Sequence, residues 1–157
     1  MARKTREKIK VKGFIRMQLV DDKTGKIVGD SGWNQNTITA NGFEDYIVGP
    51  MGAIAGSKTV THLALGTQTD APTSTQTSLS GEGAWAARKA PTKTFVANGT
   101  LRCTANWATN EATASNIGAI GAYNTSSGGT IANAITVATS AKTTDQQLNA
   151  TVEFRFS

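Results

Sequence analysis

Residues 8–20 read Lys-Ile-Lys-Val-Lys-Gly-Phe-Ile-Arg-Met-Gln-Leu-Val, and their alternation decides the fold class. Ile9, Val11, Ile15, Met17 and Leu19 fall on one face, with Gly13 in the same register. Lys8, Lys10, Lys12, Arg16 and Gln18 fall on the other. A period of two is the mark of a β-strand with one face in a core. Phe14 and Val20 interrupt the polar face, so part of that face is expected to be covered. The same period returns in Leu101, Cys103, Ala105 and Trp107. It returns again at the end of the chain in Leu148, Ala150, Val152, Phe154 and Phe156, with Glu153 and Arg155 facing the other way.

Between these anchors the chain is punctuated by turn residues. Asp21-Asp22-Lys23-Thr24-Gly25 is a turn, and Lys26-Ile27-Val28 starts a second strand, which together make a hairpin. Thr61 to Leu65, Trp85 to Val96, Ile117 to Tyr123 and Ile131 to Val137 read as extended, and Asn98-Gly99 is a hairpin signal. One helix is expected, near 41–49. Asn41 stands at its N-cap, Glu44 completes a capping box, Phe43, Tyr46 and Ile47 share a face, and Gly49-Pro50 stops it. Gly66 to Gly83 is a long Thr-, Ser- and Gly-rich loop, a candidate contact region. About eight short strands follow, and the simplest architecture is all-β: an antiparallel sandwich or jelly-roll-like domain.

The 157 residues suffice for one domain with a true core. Charged residues are 17% of the chain, below typical usage, and Thr, Ser, Asn, Ala and Gly fill the difference. A single cysteine, Cys103, excludes an internal disulfide. No apolar run approaches the length of a membrane span, and the charged N-terminus lacks the apolar stretch of a secretion signal. The net charge of +5 is uneven: residues 1–26 hold nine Lys and Arg against three acids, so the remainder is close to neutral. The expected organisation is a basic arm over residues 1–8 and a single domain over 9–157.

Signals for chemistry are weak. Gly29-Asp30-Ser31-Gly32 is similar to the segment around a serine-protease nucleophile, but the only histidine, His62, follows it instead of preceding it. An Asx-type turn before Trp33 accounts for the same residues. His62 and Cys103 do not make a zinc site, which takes three or four ligands. No spacing singles out a pair of carboxylates, and no Gly-rich phosphate loop ends in Gly-Lys-Ser/Thr. The expectation is a protein that is not an enzyme, without cofactor or metal. Arg3, Lys4, Arg6, Lys8, Lys10 and Lys12 are the candidate partner contacts. They suit an acidic protein surface better than nucleic acid, because no aromatic interleaves with them.

Several segments in order carry a resemblance. They are Lys10 to Phe14, Val20 to Val28, Gly32 to Thr39, Asn41-Gly42-Phe43, Leu63 to Pro72, Thr77 to Glu82, and Leu148 to Ser157. This order resembles small β-rich structural proteins of tailed-bacteriophage virions, capsid decoration (cement) proteins among them. The resemblance covers most of the chain and departs at Ala119, where an acidic residue is expected. It implies a multi-copy structural role in the virion, after synthesis in the host bacterial cytoplasm. Its partners would be copies of itself, a trimer first, and capsid or tail proteins. Two other roles compete: a neck, tail or fibre protein that binds carbohydrate or a host receptor through Trp33, Trp85 or Trp107, and a nucleic-acid-binding accessory protein.

Overall fold

The computed structural model describes residues 10–97 and 99–157, with Ser115 described by its main chain alone. The arm residues Arg3, Lys4, Arg6 and Lys8, together with Ile9 and Asn98, lie outside the described residues. Strands take 49% of the described residues and helices 8%, so sheet dominates.

The described residues form nine strands: β1 (Val11–Asp21), β2 (Ile27–Asp30), β3 (Asn34–Ile38), β4 (His62–Gly66), β5 (Thr92–Ala97), β6 (Thr100–Trp107), β7 (Ala114–Tyr123), β8 (Ile131–Lys142) and β9 (Gln146–Phe156). They form one antiparallel sheet in the order β4-β7-β8-β3-β1-β9-β6-β5, with β2 paired to β1 alone. The sheet folds over at β3. Asn34 to Asn36 pair with β1, whereas Thr37 and Ile38 have moved across to β8. That transfer curls the sheet into two facing layers, a sandwich-like arrangement. β3 itself carries the one strand that the sequence pattern leaves unmarked, because its five residues are mostly polar.

The expected alternation on β1 holds. Gly13, Ile15, Met17 and Leu19 are buried and the residues between them are not. Cys103, Ala105 and Trp107 on β6 and Leu148, Ala150, Val152 and Phe154 on β9 complete the inner face of this layer. Leu63 and Leu65 of β4 and Ile117, Ile120 and Ala122 of β7 meet them from the other layer. Trp107 is fully buried, and its indole Nε1 donates to Ala87 O at 2.8 Å, so this polar atom of a large core residue is satisfied.

The second layer is buried on both faces. Ala64, Ala119, Tyr123, Ile131 and Ala134 form a smaller core on its outer side, closed by Leu79 from the long loop. That is why His62-Leu63-Ala64-Leu65-Gly66 does not alternate in burial. The loop is pinned by side chains. Gln68 and Gln76 exchange amide hydrogen bonds of 2.7 and 3.2 Å, and Leu79 N–H donates to the Tyr123 hydroxyl at 2.7 Å. Tyr123 donates in turn to Glu82, and Arg88 bonds Glu82 while lying 3.4 Å above the Tyr123 ring. The expected contact loop is therefore, on its inner side, a lid over the second core. Trp85 to Pro91 makes turns, with Lys89 bridging Leu63 of β4, so the expected strand from Trp85 begins only at Thr92.

The helix differs from expectation in both its ends. Thr39, not Asn41, is the N-cap: its Oγ1 accepts from Gly42 N at 2.9 Å and donates to Ile131 O at 2.8 Å. The helical segment runs as α1 (Ala40–Phe43), a π-helical turn (Glu44–Val48) and α2 (Gly49–Met51). Pro50 lies in the last turn of this unbroken helical run, which ends at Met51, two residues past the expected stop. Phe43 is exposed, whereas Tyr46 is half-buried and donates to Thr130 O. Gly42 lets the helix touch β8: a Cβ there would stand 1.8 Å from Ala132 O. Among the described residues no helix is long and apolar enough to cross a membrane.

Candidate docking surface

The outer face of β1, β9 and β6 gathers charge by register. Lys12 is opposite Arg155, and Phe14 is opposite Glu153, which is opposite Arg102. Residues directly across an antiparallel pair interact most strongly. Glu153 is only 2% exposed, yet it is satisfied twice. Arg102 Nη2 reaches its Oε1 at 2.6 Å and Arg155 Nη2 reaches its Oε2 at 2.6 Å. The two arginine side chains stay about two-fifths exposed, at 38% and 40%. Each engages two of its five donors on Glu153, so further donors remain for an incoming acceptor.

Aromatic rings set the guanidinium planes. Arg155 lies 4.0 Å above the Phe14 ring and 5.3 Å from Trp33, and Arg102 lies 5.9 Å from Trp33. Stacking of this kind favours Arg over Lys. Phe14 interrupts the polar alternation of β1 because it is the floor of this cluster. Trp33 reaches it through the turn before β3. Asp30 Oδ1 accepts from Gly32 N at 2.8 Å, the Asx turn expected of Gly29-Asp30-Ser31-Gly32. The Ser31 hydroxyl accepts from Met17 N and donates to Gly32 O, each at 2.9 Å, so it is spent on holding this turn to β1.

Arg16 extends the surface. It pairs with Asp30 at 2.9 and 2.5 Å, which pulls the Asp30 carboxyl well below the usual carboxylate range. Lys10 and Lys12, the described members of the basic segment, are both exposed. Five cations thus share the face with two carboxylates, Asp30 and Glu153, and both acids are already paired. An excess of positive charge with spare Arg donors attracts anionic partners.

An open cleft of about 590 Å³ adjoins the patch, with Lys10, Lys12, Asn36, Thr39 and Phe43 in its wall. It opens where β3 leaves β1. Asn36 is buried there, and among the described residues its carboxamide has no hydrogen-bond partner, nor has that of Asn133 on β8. A buried amide without partners costs free energy, on the order of 1–3 kcal/mol.

The other sequence candidates do not gather. His62 is bonded through Nδ1 to its neighbour Thr61 at 2.9 Å. Cys103 is buried in the main core, and burial pushes its thiol up to about 11. Among the described residues no group of three or more His, Cys, Asp and Glu is placed to hold a metal ion. Of the tryptophans, Trp107 is core, Trp85 packs against the core and Trp33 is 38% exposed. Sequence reasoning offered Trp33 as a binding aromatic but did not single out Arg102, Arg155 or Phe14 as contacts. The signal for two of them was present: aligning the two alternating strands β1 and β9 places Lys12 beside Arg155 and Phe14 beside Glu153.

Compared with models of known families, with curated proteins and with solved structures, the chain matches none.

Proposed function

We propose that the protein is a structural component of a tailed-phage virion, a capsid decoration (cement) protein that binds the capsid surface in many copies. The supporting observation is the basic and aromatic face of Lys10, Lys12, Arg102 and Arg155 on the sheet, with Lys10 following a basic segment in the sequence. Its own acids are neutralised within the face, so the excess charge is free for a partner's carboxylates. The role is non-catalytic, and the remaining partners are copies of the same chain. Each exposed ion pair contributes roughly 0.2–1 kcal/mol, so one contact is weak. Several per subunit, over many subunits on one particle, add through avidity.

One second reading has an observation of its own. Trp33, two-fifths exposed between two guanidinium groups, is a surface on which a nucleobase would stack. A fibre or tail role with carbohydrate binding would use the same ring. Electron cryo-microscopy of virions of a phage that carries the gene tests the first reading. Many copies on the capsid surface support it; a chain absent from purified virions overturns it.

A further inference from the structure

All six residues of β5 are exposed, and Phe95 is 90% exposed, more than any other aromatic residue among the described ones. The strand bonds β6 on one side, and among the described residues nothing pairs with its other side, the edge of the sheet. Exposed edges of this kind template pairing with another strand. From the ladder itself we infer that β5 pairs antiparallel with β5 of a second copy, about a two-fold axis through Thr94. This inference does not depend on a virion role.

The main-chain directions follow from one pair of bonds. Lys10 N–H donates to Ser157 O at 2.6 Å and Ser157 N–H to Lys10 O at 2.9 Å, so Lys10 and Ser157 form a hydrogen-bonded pair. The register of β1 on β9 is unbroken, so Lys12, Phe14 and Arg16 bond β9 through Arg155, Glu153 and Thr151. The even-numbered residues of β9 therefore bond β6, as the 3.0 Å bond from Phe156 N to Gly99 O bears out. They take Leu101 and Cys103 as partners, which leaves Arg102 and Thr104 to bond Thr94 and Thr92. Lys93 and Phe95 then direct both of their main-chain groups to the open edge.

A two-fold axis at Thr94 places Lys93 opposite Phe95 of the second copy, and the reverse. Both are outward-directed, so four N–H to C=O bonds form at once. Charge selects this register. An axis at Lys93 would set like charges directly opposite, which is unfavourable. An axis at Phe95 would run across the bulge between Phe95 and Ala97. At Thr94 the one charge of the strand meets an aromatic ring.

The side chains of Lys93 and Phe95 emerge on the face of Leu101 and Cys103. An apolar cavity of about 270 Å³ lies there, walled by Lys93, Leu101, Phe154, Phe156, Tyr46 and Val60. The second copy's Phe95, opposite Lys93, arrives at its rim. Two phenyl groups of roughly 150–250 Å² each, with the paired strands, fall short of the ~1,200 Å² of a standard interface. The pair is accordingly a weak dimer in dilute solution that strengthens at high local concentration. An isologous contact uses the same edge on both copies and closes after two. It is a contact separate from the trimer that the resemblance implies.

The test uses the whole chain. Thr94→Cys sits in a non-hydrogen-bonded pair, where Cα atoms approach to about 4.5 Å and a disulfide can form across the axis. Thr92→Cys, on the same strand, is the control, since Thr92 falls opposite Val96 of the second copy. Under air oxidation Thr94→Cys is expected to cross-link at least tenfold faster than Thr92→Cys. Sedimentation equilibrium up to millimolar protein should show mass rising from 16.4 kDa toward twice that value. Lys93→Pro removes an outward N–H without touching the β6 ladder, and it should weaken association at least tenfold. Equal cross-linking of the two cysteine variants, or a mass fixed at 16.4 kDa at millimolar concentration, overturns the inference. Such a failure would leave attachment to the particle untouched, since the docking face is on other residues.

Discussion

Glu153 is a buried acid held by two arginines that are themselves half in water. Replacing it with alanine removes the acceptor for both and brings two cations together. Glu153→Ala is expected to lower stability by about 1.5–3 kcal/mol, the range for hydrogen bonds to charged groups. Urea unfolding at neutral pH measures this, and an unchanged midpoint would contradict the clamp. Asp30 tests a different property. The Arg16 hydrogen bond and the Gly32 N–H hold its carboxyl low, and Asp21 and Glu111 are lowered by their own partners Thr24 and Lys89. For a carboxylate with a depressed folded value, the stabilisation is present above the unfolded value, about 4, and is lost as pH falls through the folded one. Stability should therefore decline below about pH 4, and Asp30→Asn should make that acid limb shallower. A limb of unchanged slope would mean that the Arg16–Asp30 pair is energetically silent.

Among the elements, β1, β6 and β9 were legible in the sequence because one face of each meets the core and the other meets water, so period two survives. β4 and β8 are covered on both faces for much of their length, and period two fades there. β3 was invisible because Asn34, Gln35 and Asn36 mark a turn in composition, while the structure uses them to pass the sheet from β1 to β8. The helix cap was misplaced by two residues because Thr39 and Asn41 both suit a cap. Tertiary contact decided: Thr39 Oγ1 also bonds Ile131 O, and among the described residues Asn41 has no such bond. The long loop was legible as a loop but not as a lid, since its single apolar anchor, Leu79, gives no periodic signal. Tyr123 fastens that lid. Tyr123→Phe would leave the Leu79 N–H without its acceptor and free Glu82, at a cost of about 1–3 kcal/mol. Hydrogen exchange at Leu79 should quicken correspondingly; protection equal to that of the native chain would show that the lid is held by other contacts.

At the scale of the molecule, one sheet folded on itself keeps its faces apart in function. The inner faces are core, the outer face of the second layer is roofed by the loop, and the outer face of β1, β9 and β6 stays open with its excess of positive charge. The candidate site was half legible: Lys10 and Lys12 stood out by their run of charge, but Arg102 and Arg155 join them only through strand pairing over 50 residues of chain or more. The central claim is that this face attaches the protein to an acidic protein surface. Lys10→Glu with Lys12→Glu tests it, because both side chains are exposed and lie outside the Glu153 clamp. Binding of the native chain and the double variant should be compared on phage particles stripped of this protein and on duplex DNA. Loss of two exposed pairs, at roughly 0.2–1 kcal/mol each, predicts particle binding weaker by about two- to thirtyfold per subunit, with avidity enlarging the effect on the whole particle. Particle binding that is unchanged, alongside DNA binding that is lost and steeply dependent on salt, would contradict the account and assign the face to nucleic acid.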